Sequence, residues 1–124
     1  MEELIKSSKN MLDGLNAEYE RLQEAFKAET DIQKMDELDT KIKHIGKVIV
    51  ELDSKVLSLE VAAKKSAFDP SRLGPLAKSM SEHSQETSQA IKEYSDSIKM
   101  AEYLASRVKS GAKLIGDILK TIAV

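Results

Sequence analysis

The chain has 124 residues, of which 41% are hydrophobic, 32% charged and only 4% aromatic, with two prolines and five glycines. That balance excludes β-sandwiches and α/β sheets, which need β-branched runs and frequent turns, and suits long helices with narrow apolar seams. A net charge of -2, from 19 basic and 21 acidic residues well interspersed, supplies no basic face for nucleic acid, and the absence of cysteine excludes disulfides and thiolate zinc sites.

The opening Met1-Glu2-Glu3-Leu4-Ile5-Lys6 has neither the basic n-region nor the apolar stretch of a secretory signal. No run approaches the ~20 apolar residues that cross a bilayer. A soluble cytoplasmic protein is the expectation, with export by a signal-less route as the alternative.

The first helical pattern spans about 2–28. Its stripe is Ile5, Ser8, Leu12, Leu15, Tyr19, Leu22 and Phe26, with Glu18, Glu20, Arg21, Glu24 and Lys27 on the other face. Gly14 interrupts it at a cost of up to about 1 kcal/mol against alanine. The second pattern spans about 31–66 and is cleaner: Met35, Leu38, Ile42, Ile45, Ile49, Leu52, Val56, Leu59 and Ala63. The two stripes do not join. From Phe26 to Met35, nine steps of about 100° place them on opposite sides of one continuous helix. Thr30-Asp31-Ile32-Gln33 fits a capping box with Thr30 as N-cap, so the sequence predicts a turn near residue 30. The alternative is one helix of more than 60 residues.

Residues 67–75 form the clearest punctuation, with Asp69-Pro70 and Gly74-Pro75 ending any helix that arrives there and Phe68 capping the core end. The third pattern spans about 76–124. Its stripe runs Met80, Ser84, Thr87, Ile91, Tyr94, Ile98, Ala101, Ala105, Val108, Ala112, Ile115, Leu119, Ile122, alternating three and four residues without a miss. At Ser84 and Thr87 the seam itself is polar, so that part of the core is thin or faces a polar neighbour.

Together these patterns predict an all-α, single-domain fold: an antiparallel three-helix bundle of long heptad-patterned helices. If residue 30 does not turn, the result is a two-helix hairpin about 90 Å long that dimerises. In the bundle the third helix outruns the second. The overhang is the most apolar piece of the chain, and from Lys99 to Val124 five basic residues against two acidic ones give it +3. Leu114, Ile115, Ile118, Leu119 and Ile122 are therefore candidate partner-binding residues in a protruding amphipathic segment, with folding back as core as the competing reading. A membrane surface is a weaker partner for 107–124, which lacks Trp and Phe.

Chemistry is scarce. Di-iron bundles need Glu-x-x-His, but Lys41 and Met80 stand three residues before His44 and His83. His44 reads as a solvent-touching neighbour of the seam. Glu82 and Glu86 beside His83 favour a raised pKa without defining a site. Gly14, Gly46, Gly74, Gly111 and Gly116 are too dispersed for a phosphate loop, and Asp36, Glu37 and Asp39 lack EF-hand spacing. No nucleophile elbow accompanies the serines. The sequence thus predicts no catalytic, cofactor-binding or metal-binding residue. It predicts a non-catalytic interaction module, such as a small adaptor, chaperone or immunity-type subunit, that binds another protein or itself. An exported or membrane-active hairpin is the alternative, although the Trp-x-Gly turn of small exported hairpins is missing.

Overall fold

The long third pattern breaks in two. In a computed structural model describing the backbone of residues 2–65 and 70–123, and the side chains of 4–62, 64 and 74–121, the chain is all-helical. Its helices are α1 (Glu2–Ala28), α2 (Ile32–Lys65), α3 (Pro70–Ile91) and α4 (Ser97–Ala123). Four helices thus replace the three expected, and the two-helix hairpin is excluded with them.

Local chemistry explains the extra break. At the end of α3, Glu93 N–H donates to the Ala90 carbonyl at 3.1 Å and Tyr94 N–H to that of Ile91 at 3.3 Å, the tighter spacing of a closing turn. Asp96 then caps α4, its Oδ1 accepting from the Ile98 N–H at 2.8 Å. Ser95, Asp96 and Ser97 all have short polar side chains that compete with helical hydrogen bonds. The apolar rhythm runs on across this turn, and Tyr94 stacks on Tyr103 with ring centroids 5.2 Å apart.

Two smaller corrections follow the same logic. Between α1 and α2 the cap is Asp31 rather than Thr30: Asp31 Oδ1 accepts from Gln33 N–H at 2.9 Å and Lys34 N–H at 3.3 Å. Glu29 Oε1 meanwhile accepts from the Thr30 and Asp31 N–H groups, both at 3.1 Å. Of the turn expected over 67–75, residues 67–69 lie outside the described residues and 70–75 form the start of α3, with Pro70 at its first residue, where a missing N–H leaves no bond unmade. Phe68 lies outside the described residues.

Side-chain pairings give the helix directions. Lys9 pairs with Glu60, and the Tyr19 ring lies over Gly46, so α1 and α2 are antiparallel. Lys41 meets Glu102 at 3.1 Å and Lys55 Nζ donates to the Ala112 carbonyl at 3.5 Å, so α2 and α4 are parallel. Arg107 bonds to His83 while Tyr103, four residues earlier, stacks on Tyr94, eleven residues later, so α4 runs antiparallel to α3. The most extensive contact is between α2 and α4; α1 touches every other helix; α2 and α3 do not meet among the described residues.

One core joins the four. It takes Leu4, Met11, Leu15 and Leu22 from α1, and Leu38, Ile45, Leu52 and Leu59 at seven-residue intervals from α2. Met80 and Ile91 come from α3, and Leu104, Val108, Ile115 and Ile118 from α4. The heptad spacing in α2 keeps one face of that helix against its neighbours.

The break at 92–96 also removes the predicted overhang. It leaves α4 27 residues long and parallel to α2, whose 34 residues flank it. Ile115 and Ile118 are 0% exposed in the core. Leu114 and Leu119 are half-buried against it. The Ile122 side chain lies outside those described. Among the described side chains of this stretch, Ile115 and Ile118 thus belong to the core, while Leu114 and Leu119 keep part of their surface exposed.

Candidate functional sites

Two features stand out against this core: a polar cluster where α1, α3 and α4 meet, and an apolar stripe on the outside of α2.

The polar cluster centres on His83, which is buried with 4% of its surface exposed. Its ring Nε2–H donates to the Arg107 carbonyl at 3.0 Å. Arg107 answers with its side chain. Nε donates to Thr87 Oγ1 at 2.8 Å, and Nη2 to the His83 carbonyl at 3.0 Å, with Glu86 Oε2 at 3.5 Å. The Thr87 hydroxyl donates to the same His83 carbonyl at 2.8 Å. His83 Nδ1, by contrast, is buried with no protein partner among the described residues.

Burial, and after it the adjacent Arg107 charge, push the His83 pKa below its ordinary value; the Arg107 carbonyl bond and Glu86 pull weakly the other way. The expected upward shift is therefore reversed. Glu82 and Glu86 flank His83 in sequence, but both lie on the exposed side of α3, while the ring itself points inward.

Beside this cluster, α1 and α3 are held apart by a cleft of about 150 Å³ whose walls include Met11, Leu15, Ala17, Glu18, His83 and Thr87. Small residues open it: a Cβ built on Gly14 would stand 3.7 Å from Ser84 Oγ, an ordinary contact distance. Glu18 reaches in from α1 and is itself buried, with the exposed Arg21 at 3.3 Å. The polar seam at Ser84 and Thr87 was legible in sequence, and its demand for a polar neighbour is met by Arg107. Nothing in the spacing singled out Arg107 itself, which reads there as one of five cations near the C-terminus.

The second feature is the outward face of α2. Val50 is 69% exposed, Leu57 54% and Val61 51%. Steps of seven and four residues put them in one line, opposite the buried Leu52 and Leu59. Ile32, 81% exposed, sits five turns earlier on the same line, but Asp36, Asp39 and Lys43 intervene. Lys43 and Asp39 form an ion pair there at 2.9 Å.

A third, shallower groove between α2 and α4 is crossed by the Lys41–Glu102 ion pair and edged by the exposed His44. Among the described residues no group of three or more His, Asp or Glu is placed to hold a metal ion. No described helix is long and apolar enough to cross a membrane. Comparison with protein-family models, with curated proteins and with solved structures gave no match.

Proposed function

We propose that this chain is a non-catalytic protein–protein interaction module, of the adaptor, chaperone or immunity-subunit kind, that receives a helix of a different protein on the outward face of α2. The observation that carries this reading is the exposed line Val50, Leu57, Val61, heptad-spaced on a helix whose other heptad face is already buried. A solvated helix normally fills that line with polar residues.

Charge favours a different protein over a second copy. Antiparallel pairing of two such stripes, centred between Ser54 and Leu57, sets Val50 against Val61. The same register puts Lys47 against Lys64 at both ends of the seam, a like-charge pair each time. Parallel pairing stacks Lys47 on Lys47 and Lys64 on Lys64 at seam positions. The apolar line is about 17 Å long at 1.5 Å per residue. Three side chains along so short a line cover well under the roughly 800 Å² per side of a stable interface, so the complex is a transient one.

The test places a photo-crosslinking residue at position 57, or on the polar half of the same line at position 36, in cells that produce the chain. A discrete heteromeric adduct from 57 and none from 36 supports the reading. A homodimer adduct, or equal labelling from both positions, overturns it. Leu57→Asp should abolish the adduct formed by a crosslinker at position 61 and leave the melting temperature within a degree or so, since an exposed substitution changes stability by under about 0.5 kcal/mol.

A further inference from the structure

Of the four helices, α3 is the most weakly attached. Among the described residues it fully buries two large apolar side chains, Met80 and Ile91, where α2 buries Leu38, Ile45, Leu52 and Leu59, and it does not meet α2. Its own sequence also supports the helix poorly. Pro75 removes an internal hydrogen bond, Gly74 beside it lowers helix propensity, and Ser79, Ser81, Ser84 and Ser88 add little. Its other inward side chains, His83 and Thr87, are tied to α4 through Arg107. Segments with few buried apolar contacts open locally, ahead of the rest of the fold.

His83 makes that attachment conditional on a proton. Its Nε2–H donates to the Arg107 carbonyl at 3.0 Å, so the neutral ring carries no proton on Nδ1. Nδ1 is sealed from solvent and has no partner among the described residues. The adjoining ring atom, Cε1, lies 3.7 Å from where a Cβ on Gly111 would stand, and the Met11 thioether lies 3.2–3.3 Å from the same point. Protonation adds a second N–H and a full charge at this dry edge, where no acceptor faces it. The surrounding charges do not compensate. Arg107, on α4, opposes the new charge. Glu82 and Glu86, on α3, are exposed, and Glu86 is already 3.5 Å from Arg107. Glu18, on α1, lines the cleft beside the ring but pairs with Arg21 at 3.3 Å. A buried charge without a partner is relieved by moving it into water.

We propose that α3 is a proton-operated latch: protonation of His83 releases α3 from α1 and α4, while α1, α2 and α4 stay packed on one another. Those three helices all touch each other without α3. Release hydrates the imidazolium and uncovers Met11 and Leu15 of α1, an apolar face that is closed at neutral pH. The sign follows from linkage. In the released helix the ring titrates at its ordinary value of 6.5, and in the closed bundle it titrates lower, so a falling pH favours release. Because α3 does not meet α2, the latch does not depend on the outward stripe, and neither reading needs the other.

Native-state amide hydrogen exchange of the full chain, at about pH 7.5 and about pH 5.5 and corrected for intrinsic rates, tests this. The opening constant of the α3 amides should exceed that of α2 at both pH values. It should rise about tenfold on acidification, the full linkage for a ring that titrates at 6.5 only when released. His83→Gln keeps an N–H for the Arg107 carbonyl and takes up no proton, so its α3 opening should be the same at both pH values. A staple tests the latch in a chain that keeps His83. The protein has no cysteine, and a Cβ on Gly14 would stand 3.7 Å from Ser84 Oγ, so Gly14→Cys with Ser84→Cys sets a single thiol pair across α1 and α3. Oxidation of that pair should abolish the rise and reduction should restore it. If α3 and α2 amides open together with one constant, global unfolding replaces the latch. A rise that survives in His83→Gln, or in the oxidised staple, would also overturn it.

Discussion

The α2–α4 side of this molecule and the α1–α3 side are built on opposite terms. Along α2 every stripe position from Leu38 to Leu59 is buried, and α4 answers with Leu104, Val108, Ile115 and Ile118. Large aliphatic side chains at heptad spacing exclude water without needing any polar match. Along α3 the inward positions are Met80, His83, Thr87 and Ile91, facing Gly14 and Ala17 of α1 as well as Leu15. Small and polar residues leave space there, and the fit depends on a hydrogen-bond network that Arg107 completes. The dry side is closed by shape alone; the wet side is closed by hydrogen bonds and leaves a cleft of about 150 Å³.

The sharpest way to break that contrast is to place a charge in the dry side. Ile49→Asp and Ile118→Asp should each be destabilising by about 4 kcal/mol or more, because each buries a carboxylate without a partner. Urea denaturation measures both. Near-wild-type stability of Ile118→Asp would show that the C-terminal half of α4 is not packed against α2 as described.

A smaller effect is expected on the wet side. Arg107→Leu removes the donors to Thr87 Oγ1 and the His83 carbonyl and should be destabilising by roughly 1–3 kcal/mol. It should also change the pH dependence. Burial and the Arg107 charge hold the folded-state pKa of His83 below its reference value of 6.5. Above pH 6.5 the ring is neutral in both folded and unfolded chains, and its full contribution is present. Below 6.5 the unfolded chain takes up the proton first, so stability falls as the pH drops towards the folded-state pKa. The charged groups placed around the ring are Arg107 on α4, Glu86 on α3 and Glu18 on α1. Arg107→Leu removes the second cause of the depression, so the loss of stability between pH 6.5 and 5 should become shallower. An unchanged slope would mean that Arg107 does not act on His83.

The contrast also explains what could be read from the sequence. The dry side was legible because burial there is written in periodicity: Leu38, Ile45, Leu52 and Leu59 announce one face without reference to any partner. The turn at residue 30 was legible because two stripes fell out of phase. The turn at 92–96 was not, because the apolar stripe runs through Ile91, Tyr94 and Ile98 in step, and the break is made by Asp96, a single capping side chain. With that turn in place α4 is shorter than the single third helix expected, and of the two readings kept open for its C-terminal end Ile115 and Ile118 follow the one that folds back as core. The wet side was half legible. Ser84 and Thr87 signal a polar seam, but Arg107 and Glu18 are ordinary surface residues in a helical pattern until the fold brings them together. The α2 stripe was overlooked because Val50, Leu57 and Val61 lie between the positions of a better one.

The gentlest probe of the contrast is a pair of glycines. Both Gly14 and Gly111 lie within helices with ordinary negative φ, so alanine gains up to about 1 kcal/mol of helix propensity at either. At Gly14, in the wet seam, the added methyl meets only Ser84 Oγ at 3.7 Å, and the full gain should appear as a higher melting temperature. At Gly111, where α1 crosses α4, it meets Met11 Cε at 3.2 Å and Sδ at 3.3 Å. A methionine end can yield, but only by moving inside a packed core, so most of the gain should be lost. Gly14→Ala should therefore be the more stable of the two. The reverse order would mean that α1 lies closer to α3 than to α4, and with the helices in that position the space between Met11, Glu18 and His83 would close.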